Sequence, residues 1–252
     1  MFNNIADRYR DKTAVVIGAG GIGREITRLL AGSVSNLVVA DQNEALLGEL
    51  RECSESTKLS VRKLDVRDSL AVADFFSFVR TTVGCPHFVF YTAGILTIEP
   101  FADTTPEIWD RAVDINLNGA FYCTKAAAEL MIPERRGSIV LLGSIAGTKA
   151  RSGSRVNPVY NATKAGIAAF VNATAMQLRR HGICINCISP GPASTAMMDV
   201  QPNSVQQTIR EIMLDQRMND PIEVAQLALF IAAHGRFTGE DIGMGGGAGL
   251  GG

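Results

Sequence analysis

A chain of 252 residues with 46% hydrophobic and 19% charged side chains has the apolar material for one large core, which argues against intrinsic disorder. Lys and Arg together (24) nearly balance Asp and Glu (25), giving a formal net charge of −1. That balance argues against nucleic acid or an anionic membrane as the main partner, since both need a basic surplus.

The start, MFNNIADR, has no basic stretch leading into an apolar run. Short apolar segments then alternate with amphipathic ones. Thr13–Ile17 (TAVVI) reads as a strand and Gly21–Leu30 as the helix after it. Asn36–Ala40 (NLVVA) is a second strand, followed by a helical stretch from about Asn43. Leu59–Leu64 is a third, then a helix over Ser69–Thr81 with apolar residues at helical spacing. His87–Tyr91 and Ile139–Leu142 are further buried strands, separated by a long helix through Phe121–Met131. Asn157-Pro158 has the form of an N-cap and N1 pair, Gly182 that of the C′ glycine ending the same helix, and Ile183–Ile188 is a sixth strand. The longest apolar stretch, around Ala225–Ala233, falls far short of the roughly 20 residues of a membrane span, so the expectation is a cytoplasmic protein with no membrane partner.

Strands that are apolar throughout need cover on both faces. Repeated β–α units then give an α/β fold, a doubly wound parallel sheet of the Rossmann type in a single domain over 1–252. Five cysteines are present: Cys53, Cys85, Cys123, Cys184 and Cys187. The CxxC of Cys184–Cys187 lies in an apolar strand with no second pair to complete a zinc site, so buried, reduced thiols and no metal are expected.

Of the 25 glycines, one cluster lies near residue 20 and another at the C-terminus. Gly18-Ala19-Gly20-Gly21-Ile22-Gly23 satisfies GxGxxG, follows a strand and opens a helix, and Asp41 ends the next strand. Such glycines let the backbone approach a pyrophosphate at a helix N-terminus. An acid at Asp41 accepts hydrogen bonds from both adenosine ribose hydroxyls and repels a 2′-phosphate, which favours NAD over NADP. Gln42 follows it in place of an arginine; Arg24, just past the loop, is the one feature that softens this preference.

Tyr160 and Lys164 stand four apart on one helical face, where the cation is expected to lower the phenol pKa and make the tyrosine an acid/base for a carbonyl/alcohol pair. Ser144 follows the Ile139 strand at the carboxyl edge of the sheet, placed to hydrogen-bond a developing oxyanion.

Together these residues resemble the compact form of the short-chain dehydrogenase/reductase family over nearly the whole chain. Asp65-Val66 is similar to the family's adenine-contacting pair, and Tyr91-Thr92-Ala93-Gly94 to its Asn-Asn-Ala-Gly motif. Asn116 matches the asparagine of the catalytic tetrad, Ser144, Tyr160 and Lys164 its other members. Pro190-Gly191 and Thr195 match the segment covering the nicotinamide; Arg217, Pro221–Ala225 and Thr238–Ile242 match the C-terminal third. The resemblance implies that Tyr160 is the general acid/base, that Lys164 lowers its pKa and binds the nicotinamide ribose, that Ser144 orients the carbonyl oxygen, and that Asn116 holds a water on a proton path from Lys164. It also implies a homotetramer, with a dimer as the smaller assembly. The helices of Phe121 and Tyr160 would form one interface; only the Ala126–Ala128 and Ala165–Ala169 faces speak for that directly.

Four departures are visible. The glycine loop is one residue short. Ile17 stands where the family has a threonine tying the loop to the fourth-strand motif, and that motif has lost both asparagines, to Tyr91 and Thr92. An altered tie between the first and fourth strand ends is therefore expected. The family's terminal Val-Asp-Gly-Gly is replaced by Gly243-Met244-Gly245-Gly246, and a glycine run there serves a loose tail as well as a strand.

Lys149, Arg151 and Arg155, in a long segment between Ser144 and Tyr160, read first as a solvated polar loop, with recognition of an anionic substrate group as the alternative. The 193–218 stretch is where the family keeps its substrate lid; Met197, Met198, Met213 and Met218 there suit an apolar substrate or helical core packing equally. The function expected is NAD(H)-linked interconversion of a secondary alcohol and a ketone. Reduction of C=C or C=N on the same scaffold, and dinucleotide sensing without turnover, are the alternatives.

Overall fold

The computed structural model describes residues 5–51, 58–148, 158–199, 203–211, 213–214 and 216–248. Its sheet is built from β1 (Thr13–Ile17), β2 (Asn36–Asp41), β3 (Lys58–Lys63), β4 (Phe88–Tyr91), β5 (Gly137–Leu142), β6 (Ile183–Pro190) and β7 (Asp241–Met244). All neighbours are parallel, in the order β3-β2-β1-β4-β5-β6-β7. The helices are α1 (Ile5–Tyr9), α2 (Gly21–Leu30), α3 (Glu44–Arg51), α4 (Ser69–Val83), α5 (Pro106–Val113), α6 (Gly119–Glu134), α7 (Ile145–Thr148), α8 (Pro158–Arg179), α9 (Ala196–Asp199), α10 (Asn203–Glu211) and α11 (Pro221–Ala233).

Alternate side chains of the buried strands serve two cores. Val15, Ile17, Val89, Tyr91, Ile139, Leu141 and Ile185 pack on one face, with Phe75 and Phe76 of α4, Cys123 and Met131 of α6 and Ile167 of α8. Ala14, Val16, Leu37, Val39, Phe90, Val140 and Ile188 pack on the other, with Ile26 and Leu30 of α2 and Val224 and Leu229 of α11. This is why those strands are apolar without alternation. At roughly 25 cal/mol per Å² of apolar surface, the two cores supply most of the driving force for folding. Cys184 and Cys187 stand three apart on β6, so their side chains leave opposite faces and do not converge on a metal.

Six strands lie within two residues of where the apolar runs place them. The seventh, β7, is a short Asp-Ile-Gly-Met edge strand with no continuous apolar run, so only its pairing with Cys187–Pro190 reveals it. The first part of the C-terminal glycine run is thus a strand. The helix expected through Phe121–Met131 belongs to a longer rod: α5, a π-helical turn over Asp114–Asn118, and α6 join without a break. Gly182 is left-handed (φ +74°) as expected, but α8 already ends at Arg179. Its glycine is required for a second reason: a Cβ there would collide with the Arg135 carbonyl. Asn157, expected to cap α8, lies outside the described residues.

Because every strand is parallel, all carboxyl ends meet at one edge. The strand order reverses between β1 and β4, and a ligand crevice belongs outside that point.

Candidate active site

The glycine loop joins β1 to α2 at this crevice. Gly18 has φ +104°, and a Cβ on it would lie 2.6 Å from both the Ala93 nitrogen and Thr92 Oγ1. A Cβ on Gly23 would run into the Gly18 carbonyl. Gly20 is different: a Cβ there would meet only a Leu46 methyl at 3.7 Å. Two of these glycines are therefore demanded by packing, while Gly20 keeps backbone open to a ligand. The N-terminus of α2 has no side-chain cap and no acid in its first turn, so the field at Gly21 and Ile22 is left for an anion such as a pyrophosphate.

Asp41 lies at the end of β2, as expected, and its carboxylate does a further job. Oδ2 accepts from the Ala19 N–H at 2.7 Å and Oδ1 from the Asn43 N–H at 2.7 Å. The acid thus fixes the glycine loop, and each oxygen keeps acceptor capacity for a ribose hydroxyl. Arg24 pairs with Glu49 of α3, which offsets its charge.

The tie between the first and fourth strand ends is altered, as the sequence indicates, and inverted. Thr92 and Ala93 N–H groups donate to the Ile17 carbonyl at 2.8 and 3.0 Å. The Thr92 hydroxyl faces the Ile17 and Gly18 carbonyls at 3.0 and 2.9 Å. The hydroxyl absent at Ile17 is supplied from the β4 side. In the sequence Thr92 stands out only as a lost asparagine; its pairing with the exchange at Ile17 is the signal that points to this role.

Asn116, Ser144, Tyr160 and Lys164 come together beyond β4, β5 and β6. Asn116 is fully buried. Its Oδ1 accepts from the Ile95 N–H at 2.8 Å, and its Nδ2 donates to the Ile95 carbonyl at 3.0 Å and to Thr163 Oγ1 at 3.1 Å. Lys164, also buried, donates from Nζ to the Leu142 carbonyl at 2.8 Å, and burial pushes its ammonium down to about 8. Asn116 Oδ1 and Lys164 Nζ flank Gly94, at 3.2 and 3.5 Å from where a Cβ would stand. Ser144 Oγ receives the Ala146 N–H at 3.2 Å, faces the Pro190 carbonyl at 3.5 Å and hydrogen-bonds the Tyr160 phenol.

One electrostatic expectation is corrected. The Tyr160 pKa is raised, because burial of the phenol outweighs the lowering hydrogen bond from Ser144. The Lys164 ammonium is turned to the Leu142 carbonyl and lies 5.7 Å from the Tyr160 ring centroid, so it does not hold the phenol down here.

Thr195 reaches the loop: its Cγ2 is 2.8 Å from a Cβ position on Gly21. The Gly191 N–H donates to the Met244 carbonyl at 2.8 Å, so β7 supports the turn after β6. Asp65 is held by Arg67, whose guanidinium lowers its pKa, and Val66 is buried against Gly119. Met198, Met213 and Met218 are buried; Met213 packs with Ile145 and Ala248. Lys149, Arg151 and Arg155 lie outside the described residues.

Comparison with known proteins agrees with this geometry. The sequence pattern of a family described as enoyl-(acyl carrier protein) reductase matches residues 17–248. The chain is 30% identical to human (3R)-3-hydroxyacyl-CoA dehydrogenase over 98% of its own length and 99% of the relative's. It is 31% identical to the uncharacterized oxidoreductase YxbG of Bacillus subtilis, over 95% of this chain and 92% of the other. The crystal structure of gox2181 superposes with a TM-score of 0.91 at 26% identity, covering 99% and 100% of the two chains. A doubly wound sheet with the glycine loop at its switch point, matched along its length by these oxidoreductases, belongs to the short-chain dehydrogenase/reductase family.

Proposed function

We propose that the chain is an NAD(H)-dependent oxidoreductase interconverting a secondary alcohol and a ketone, with Tyr160 as general acid/base. The observation that carries this is the convergence of Tyr160, Ser144, Lys164 and Asn116 beside a glycine loop whose α2 N-terminus is left for an anion. Gly18, Gly20, Gly21, Ile22 and Gly23 would hold the pyrophosphate, Asp41 the adenosine ribose, and Ala93, Gly94, Pro190, Gly191 and Thr195 the nicotinamide half. Asp65 and Val66 would border the adenine. The Asp41 carboxylate and the Arg24–Glu49 pair support NAD over NADP.

When bound, the dinucleotide supplies or accepts the hydride at the substrate carbon. Ser144 holds the substrate oxygen, and Tyr160 gives that oxygen its proton in reduction or removes it in oxidation. The raised phenol pKa keeps Tyr160 protonated, which favours its donating role in the reduction direction. Lys164 binds the ribose beside the tyrosine, and Asn116 holds the segment through which the proton is replaced. Met198, Met213 and Met218, buried in the segment after β6, would lend the substrate side an apolar border. The single domain assembles as a homotetramer; Phe121, 45% exposed on α6 and edge-to-face with Phe170 of α8, supports that helix pair as one interface.

The test is a panel of alcohols and ketones, (3R)-3-hydroxyacyl and 3-oxoacyl thioesters among them, assayed with NAD(H) and NADP(H) in parallel. NADH-linked turnover that falls by about 10²-fold or more in Tyr160→Phe, with NADH still bound, is the expected result. Preference for NADP(H) overturns the cofactor assignment. The matching family description names enoyl reductases, so C=C reduction is the second reading; an enoyl thioester reduced in place of every ketone would establish it.

A further inference from the structure

Tyr91 ends β4, is 1% exposed, and takes no part in the chemistry above. Its phenol donates to the Ile115 carbonyl at 2.5 Å. That carbonyl belongs to the π-helical turn Asp114–Asn118, in which the Gly119 N–H bonds to Asp114, five residues back. In an uninterrupted α-helix the same N–H would serve Ile115. A π turn diverts that donor, is intrinsically rare, and concentrates at functional sites. Here Tyr91 provides the donor that the turn takes away from Ile115.

The surroundings are cut to fit the phenol. A Cβ on Gly119 would stand 2.5 Å from the Tyr91 oxygen and 2.8 Å from Val66 Cγ2, so the large residue at 91 requires the smallest at 119. Burial drives the phenol pKa far above its ordinary value, so the group remains a donor throughout the working pH range. Asn116 is the middle residue of the turn. One residue more per turn rotates the succeeding helix by about 100°, so the direction of Asn116 relative to α6 depends on the π turn persisting.

We propose that Tyr91 is a positioning residue: by holding the Ile115 carbonyl it maintains the π turn that aims Asn116 at the Ile95 backbone, beside Gly94 and Lys164. The kinetic part rests on the proposed proton path through Asn116 and Lys164; the geometric part does not. Two variants test it, Tyr91→Phe, which removes one hydroxyl and leaves the ring, and Gly119→Ala, which pushes the phenol off from the opposite side. In crystals of Tyr91→Phe, the Gly119 N–H is expected back on Ile115 and Asn116 off Ile95. In both variants kcat is expected to fall about tenfold, as for one lost buried hydrogen bond, with the pH profile displaced and NADH affinity by fluorescence titration within twofold. A role in stability alone would lower Tm and leave the profile of the folded fraction in place, and that result would overturn the proposal. So would an unchanged π turn with Asn116 still on Ile95 in the Tyr91→Phe crystals. If the native chain turns over no member of the panel, the redox reading falls, while the crystal comparison still decides the role of Tyr91.

Discussion

Lys164, proposed to serve the chemistry, does so at a cost to the fold. Its folded pKa, about 8, lies below the ordinary 10.5 because burial penalises the ammonium. Between those values the unfolded chain binds the extra proton, so this residue's contribution to stability rises with pH from about 8 to 10.5, and its cost is fully present below 8. Lys164→Met is therefore expected to raise Tm at pH 7 while abolishing turnover, and its Tm advantage should shrink as pH climbs through that window; a constant advantage would contradict the burial argument. Thr92 makes a second case. Thr92→Val removes the hydroxyl facing the Ile17 and Gly18 carbonyls, and NADH binding is expected to weaken about tenfold, with Thr92→Ser close to native. Equal affinity in all three proteins would deny Thr92 a hand in shaping the loop.

At the scale of elements, the glycine loop separates two uses of one residue type. Gly23→Ala drives a methyl into the Gly18 carbonyl, so loss of NADH binding together with a depressed Tm is expected. Gly20→Ala meets only a Leu46 methyl, so the fold should melt within a few degrees of native while NADH affinity drops, because the methyl would enter the space proposed for the pyrophosphate. Calorimetry and titration on the two variants distinguish backbone needed for packing from backbone needed for a phosphate. The strand, loop and acid were all legible in the sequence, since Gly18–Gly23 and Asp41 lie within about 25 residues of one another along β1–α2–β2. The hydrogen bond from Ala19 to Asp41 was not, because it depends on where β2 ends relative to the loop. The π turn was equally hidden: Asp-Ile-Asn-Leu-Asn is an ordinary helical string, and its geometry comes from Tyr91, twenty-four residues away.

For the molecule as a whole, the C-terminal glycines close the structure. β7 completes the sheet beside β6, the Met244 carbonyl accepts from Gly191 and from Asn219 Nδ2, and Ala248 packs on Ile145 next to Ser144. Truncation after Glu240 is expected to bare β6 as an edge, lower Tm by about 10 °C or more and abolish turnover; a truncated chain that keeps its activity would make β7 dispensable to the site. By itself the sequence indicated six of the strands, the parallel α/β class and the glycine loop with its acid, because those features are periodic or locally spaced, and it offered Tyr160, Lys164, Ser144 and Asn116 as candidates through their match to the family's tetrad. Only the tertiary structure decided the seventh strand, the inverted tie at Thr92, the direction of the Tyr160 shift and the partner of Tyr91. Each of these depends on burial or on contacts between residues far apart in the chain, for which no local pattern exists.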